Sequence, residues 1–304
     1  MSFFSRMVVA VAESAPVRST FTNTRAGKAL VRRFVAGDSL SEAIAAARIL
    51  NRQGLKVSLD LLGEEVHSAE EVESALDAYV ACLDEIAANS INGNVSIKLT
   101  QLGLAFDPDL ARATLDRLAV SAARLGLTVT IDMEDSTYTQ QTVDIYADAQ
   151  PRHRNLGIAL QAYLYRTPDD LIRLMPLEGH IRLCKGAYVE PESVAFTSTS
   201  EVDAAFARLL NVLMGYEGVT PAVATHDPEL IGLTRQLGGQ RRQPFEFQML
   251  YGVRPQAQKE LAAAGYPVRI YVPYGSRWYP YLVRRLAERP ANLGFFARSL
   301  VTKN

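Results

Sequence analysis

From Leu55 to Val272 the chain returns to one unit, a short run of β-branched and aliphatic residues followed by a segment of helical length. The unit occurs eight times, with strands predicted at 56–62, 95–100, 128–133, 157–163, 180–185, 221–225, 245–250 and 268–272. Alternation of this kind restricts the fold to α/β, because consecutive parallel strands can pair only after a crossover, usually a helix. Eight repeats without a long linker predict one parallel sheet closed into a (β/α)8 TIM barrel. An open doubly wound sheet is the second choice. That fold usually carries GxGxxG after its first strand, and neither this motif nor a P-loop is present.

Helical patterns fill the gaps, as at 69–88 and 107–125, where Asp107 reads as an N-cap and Pro108 as the first helical residue. Two more helical patterns over 24–53, the second starting at Asp38 or Ser39, precede the repeats. The expected organisation is therefore an N-terminal arm and helices, 1–53, packed on a barrel, 54–304. The first residues, MSFFSRMVVAVAESA, have an apolar core broken early by Arg6 and read as a helix or arm rather than a secretory signal. Five arginines against the single acid Glu13 before residue 38 leave an organelle transit peptide open.

Balanced charge, 32 basic against 33 acidic residues with no long run of one sign, argues against nucleic acid as a partner. No apolar run approaches the roughly 18 residues of a membrane span, so any membrane contact is expected to be peripheral. Cys82 and Cys184 are too few for a disulfide framework and fit a reducing compartment. The four histidines show no ligand spacing, and no metal is expected.

A barrel gathers its chemistry at the carboxyl ends of its strands. Those ends carry Glu64; Lys98; Asp132 and Glu134; Gln161; Arg182 and Lys185; Thr225 and His226; Glu246 and Gln248; and Tyr271. Lys98 sits in an apolar strand, where an unpaired charge is costly, and Glu64 is its natural ion-pair candidate. Asp135 reads as a helix cap, whereas Asp132 is expected to face the mouth. Arg182 and Lys185 precede Gly186, which permits close approach of backbone to an anionic ligand. His226 is read either as a cap or as a phosphate contact. The last strand runs into YPYLVRRLAE, where aromatics crowd Arg284 and Arg285, a setting for a small carboxylate with an apolar ring. Arg285 points about 100° away from Arg284 on a helix, so the two need not share one role.

The ordered set LLGE, SIKL, TIDMED, QAY, RLCKGAY, ATHD, FEFQMLYG, RIYVPYG and YLVRRLAE resembles the proline dehydrogenase family, its single-function bacterial members in particular. The resemblance implies a distorted (β/α)8 barrel with its final helix over the mouth and FAD bound without a Rossmann motif. It implies oxidation of L-proline to Δ1-pyrroline-5-carboxylate, the first step of proline catabolism, with electrons passed to a membrane quinone. A cytoplasmic protein touching the inner membrane face, and a pyrroline-5-carboxylate dehydrogenase as partner, follow from the same likeness. Asp132 and Arg182 match the family's catalytic residues, Arg182 near the flavin N5. Lys98, Arg284 and Arg285 match residues that hold the substrate carboxylate, Glu64 the ion-pair gate to Arg284, and Tyr271 the residue flanking the proline ring. Met133, Gln161, Lys185, Gly186, Ala187, Thr225, His226 and Glu288 fall on flavin-contacting positions. Val189 departs from the bifunctional relatives, which carry tryptophan there.

Read from barrel logic alone, two rivals stand beside this oxidoreductase. One is a Schiff-base aldolase using Lys98 or Lys185, the other a ligand-binding barrel without catalysis.

Overall fold

The computed structural model describes residues 24–63 and 66–287. Eight strands, β1 (Lys56–Leu61), β2 (Gly93–Ile97), β3 (Val129–Ile131), β4 (Leu156–Gln161), β5 (His180–Cys184), β6 (Thr220–Ala224), β7 (Glu246–Leu250) and β8 (Val268–Tyr274), close in sequence order. Every neighbouring pair is parallel, and β8 returns to β1 with Ser58 opposite Tyr271. The (β/α)8 expectation holds, with strand ends shifted by at most three residues.

Among the described residues two helices precede the barrel, α1 (Arg25–Phe34) and α2 (Leu40–Arg52). Ser39 is the cap of α2, in a capping box with Glu42. The crossover helices are α3 (Ala69–Ala88), α4 (Pro108–Arg124), α5 (Ser136–His153), α6 (Thr167–Leu174), α7 (Thr199–Gly215), α8 (Pro228–Gly238) and α9 (Pro255–Ala263). Asp107 caps α4 and Asp135 caps α5, as their sequence positions predict.

Strand residues that point outward, such as Val57, Leu59, Val95, Ile97, Ile158 and Ile181, are fully buried against these helices. Inward-facing positions alternate with them. Barrel lumens are usually packed with branched aliphatic side chains. Here the inward series is largely polar: Ser58 and Asp60, Asn94 and Ser96, Thr130, His180 and Arg182, Glu246 and Gln248, Arg269 and Tyr271. Its members are tied to one another, as in the 2.9 Å bond between the Ser58 and Ser96 hydroxyls. Burial of so many polar groups is tolerable only because they satisfy each other.

The last described helix, α10 (Tyr279–Ala287), is held by a cluster separate from the main core. Tyr279, Tyr281, Leu282 and Val283 pack with Leu30, Phe34 and Val35 at the end of α1 and with Leu62. No helix among the described residues is long and apolar enough to cross a membrane.

Candidate active site

β2 and β3 end three and two residues sooner than the sequence predicts, and the difference sets the geometry. Lys98 lies just past β2, where the chain turns into a 3-10 helix (Leu99–Leu102), and Asp132 lies just past β3. Both side chains are thereby released from the sheet into the mouth. Lys98 Nζ donates to Asp60 Oδ1 at 2.8 Å, to Asp132 Oδ2 at 3.3 Å and to the Tyr271 hydroxyl at 3.4 Å. Tyr271 in turn donates to Asp132 Oδ2 at 2.6 Å. Arg182 donates through Nη1 to the other oxygen of Asp132 and through Nη2 to Ser96 Oγ at 2.9 Å, while its guanidinium lies 5.4 Å from the Tyr271 ring centre.

Among the described residues Lys98 pairs with Asp60 and Asp132; Glu64, the partner expected from sequence, lies outside the described residues. Sequence reasoning passed over Asp60 because Glu64 stood closer to the presumed mouth. The signal was the alternation of Ser58 and Asp60, two polar residues on one face of a strand buried on both sides.

Burial disfavours charge on Asp132, but Lys98 and Arg182 outweigh it and hold the carboxyl below its ordinary value. Burial likewise opposes the Lys98 ammonium, and Asp60, Tyr271 and Asp132 keep its pKa well above the usual lysine range. Burial together with the Asp132 and Asp60 carboxylates pushes the Tyr271 phenol up. At neutral pH the centre is therefore an ionised aspartate between two cations and a neutral phenol. Glu134 stands apart: it accepts from Thr100 N at 3.1 Å and Thr100 Oγ1 at 2.6 Å, and burial raises its pKa.

From this centre a cavity of about 770 Å³ runs toward the ends of β5 and β6. Met133, Gln161, Lys185, Gly186, Ala187, Thr225 and His226 all line it. Gln161 ties the β5–α7 loop to the end of β3, accepting from Ala187 N at 3.2 Å and donating to the Glu134 carbonyl at 2.9 Å. Gly186 adopts φ +126°, and a Cβ there would sit 2.4 Å from the Tyr163 ring, so only glycine lets this backbone pass. Lys185 is held by Asp203 and, at 2.8 Å, by Asp227. His226 accepts from Leu250 N through Nε2 at 2.9 Å, which assigns the neutral ring with its proton on Nδ1. The cap of α8 is Asp227, not His226.

Arg254, which sequence reasoning did not single out, lines the same end of the cavity from a left-handed backbone, φ 49°, and donates to the His226 carbonyl. At the opposite end α10 brings Arg284 and Arg285 over the centre. The Arg284 guanidinium stacks 5.7 Å from the Tyr188 ring and that of Arg285 5.4 Å from the Tyr281 ring, so the two do face different partners. Tyr188, two residues past Gly186, is a further wall of the site that the sequence reading omitted. Glu288 lies outside the described residues.

The geometry disfavours the aldolase reading, since a Schiff-base lysine must shed its proton. Lys98 and Lys185 are each paired with two carboxylates, and both pKa values are raised.

Residues 43–298 match the family model described as proline dehydrogenase. The chain belongs to the proline dehydrogenase family. It is 41% identical over 275 residues to proline dehydrogenase 1 of Bacillus subtilis, covering 90% of this chain and 91% of that one. Against the proline dehydrogenase of Deinococcus radiodurans it is 38% identical over 280 residues, 90% of each chain. Among solved structures, proline utilization A from Bdellovibrio bacteriovorus inactivated by N-propargylglycine superposes with a TM-score of 0.81 at 21% identity. That match covers 93% of this chain and 36% of the larger one, and it supports the barrel fold. Within the proline dehydrogenase family, the residues matched by the sequence resemblance and described here converge on one cavity.

Proposed function

We propose that the chain oxidises L-proline to Δ1-pyrroline-5-carboxylate, with FAD as resident cofactor and a membrane quinone as the final electron acceptor. The observation that carries this reading is the stacking of two arginines above a buried Lys98–Asp132–Arg182 cluster in a single cavity. The end beneath α10 suits a small carboxylate, and the cavity as a whole has a volume typical of ligand sites.

The residues fit a flavin nucleotide. The Gly186 backbone that lines the cavity is kept free of side chain, Ala187 is pinned by Gln161, and Arg254 supplies a cation near His226 for phosphate. Met133, Gln161, Lys185, Gly186, Ala187, Thr225 and His226 would line the bound group. FAD, when bound, supplies a two-electron acceptor that amino-acid side chains lack.

The chain's own contribution is binding and electrostatics. Arg284, Arg285 and Lys98 grip the substrate carboxylate, and Tyr271 flanks the ring. Asp132 fixes Arg182, whose positive charge favours the electron-rich product state of the site. Oxidation removes a hydride from the ring carbon beside nitrogen and a proton from nitrogen, leaving C=N. Lys98 and Tyr271 stay protonated, and Asp132, its pKa held down by Lys98 and Arg182, is too weak a base to take up a proton near neutrality. The substrate therefore reacts as the neutral amine, its proton going to water. Assay of purified protein with L-proline and a dye acceptor tests this reading, and absence of proline-dependent dye reduction refutes it.

A further inference from the structure

Beneath the reacting centre the lumen holds a second polar layer whose purpose the proposed chemistry leaves open. Gln248, on β7 and 4% exposed, accepts through Oε1 from Arg182 Nε. Its amide nitrogen donates to Glu246 Oε1 at 2.7 Å and lies 3.3 Å from His180 Nε2. Glu246 is clamped by Arg269 through Nε at 2.6 Å and Nη2 at 3.1 Å, and Arg269 is anchored by Val57 O at 2.9 Å and Asn94 Oδ1 at 3.1 Å.

This floor gives the Gln248 amide a single sense. An ionised Glu246 can only accept. Burial alone would neutralise it, but Arg269 and His180 hold its pKa down to about 2. Burial also keeps His180 neutral, with its pKa lowered to about 4, and in the tautomer protonated on Nδ1 its Nε2 accepts from the Gln248 amide. The Gln248 NH2 must face the floor and its carbonyl must face Arg182. A flipped amide would set carbonyl against carboxylate and NH2 against guanidinium.

We propose that Gln248 is a positioning residue for Arg182, with the Glu246–Arg269 pair and His180 fixing which face of its amide the guanidinium meets. Arg182 then meets one partner at each of its nitrogens: Gln248 at Nε, Asp132 at Nη1 and Ser96 at Nη2. Of its five N–H groups, two are left for whatever occupies the cavity. The arrangement rests on the reading that Arg182 works beside a bound flavin.

The test uses flavin-loaded wild type, Gln248→Met and Gln248→Glu. Methionine keeps the volume and removes the acceptor. Glutamate keeps an oxygen toward Arg182 and, beside Glu246, shares one proton with it, reproducing the amide's pattern. Expected for Gln248→Met is a kcat lower by about 30-fold with KM for proline within about twofold, since a guanidinium displaced by about 1 Å can cost up to about 100-fold. The flavin potential should fall, because the cation that favours the reduced ring has drifted. Gln248→Glu should recover kcat to within about fivefold of wild type. Wild-type kcat and potential in Gln248→Met, or a raised KM at unchanged kcat, overturns the assignment. Should the methionine variant fail to fold, Gln248→Glu decides alone: kcat within about fivefold supports the proposal and a larger loss overturns it. A wild-type protein that does not oxidise proline refutes the function itself, whereas an active wild type with an indifferent Gln248→Met refutes only this inference.

Discussion

Asp132 and Arg182 meet across a strand that neither belongs to: Arg182 Nη1 of β5 donates to the carboxylate just past β3, over the inward face of β4. The crossing is open because β4 presents Gly157 and Ala159 inward, with Ala159 directly beside Arg182 in register. Removing one partner of a buried charged pair leaves the other uncompensated. Asp132→Asn should cost about 3 to 5 kcal/mol in stability, because Arg182 loses its counter-charge and Lys98 is left with Asp60 alone. Urea unfolding at neutral pH measures this, and a loss under about 1 kcal/mol would mean that the pair is dispensable.

His180 makes stability depend on pH. Its folded pKa is lowered from 6.5 to about 4 by burial, so between those values the unfolded chain binds more protons. Stability should rise with pH across that window and lose roughly 3 kcal/mol when pH falls through it. Glu246 acts lower down: its contribution is present above 4.5 and is lost as pH falls through about 2. In His180→Gln the slope between pH 6.5 and 4 should flatten. Equal slopes in variant and wild type would contradict the assignment.

Arg284 and Arg285 project from α10 into the cavity and carry the substrate carboxylate in the proposed mechanism. Each charge-assisted contact contributes about 1.5 to 3 kcal/mol. Arg284→Met and Arg285→Met should therefore each raise KM for proline about 10- to 150-fold, with a smaller effect on kcat. An unchanged KM removes the residue concerned from the carboxylate site.

Gly186→Ala places a methyl group 2.4 Å from the Tyr163 ring at φ +126°. The backbone must shift where it lines the cavity, and flavin content per purified chain should drop at least about tenfold. Absorbance ratios of flavin to protein measure it; full loading would show that this turn does not bound the cofactor space.

The barrel was legible because strand and helix periods alternate through most of the chain. The reacting centre was legible where a charge broke an apolar strand, as at Lys98, Asp132 and Arg182. Gln248 was read as a strand-end residue at the mouth, whereas Asp60 was readable only by counting every second residue along a strand hidden on both faces. The partners of Lys185 were not readable at all, since Asp203 and Asp227 reach it from a helix and a loop distant in sequence. Nor does sequence reveal that β2 and β3 stop short, which is what turns Lys98 and Asp132 into the mouth. Strand length in a barrel is set by neighbouring registers rather than by local propensity.

The central claim is that this cavity oxidises proline through a bound flavin. The visible spectrum of the purified protein, recorded under anaerobic conditions before and after adding L-proline, tests it most directly. The account predicts a flavin band that proline bleaches and an added quinone restores. A protein without flavin absorption, or a band that proline leaves unchanged, would contradict it.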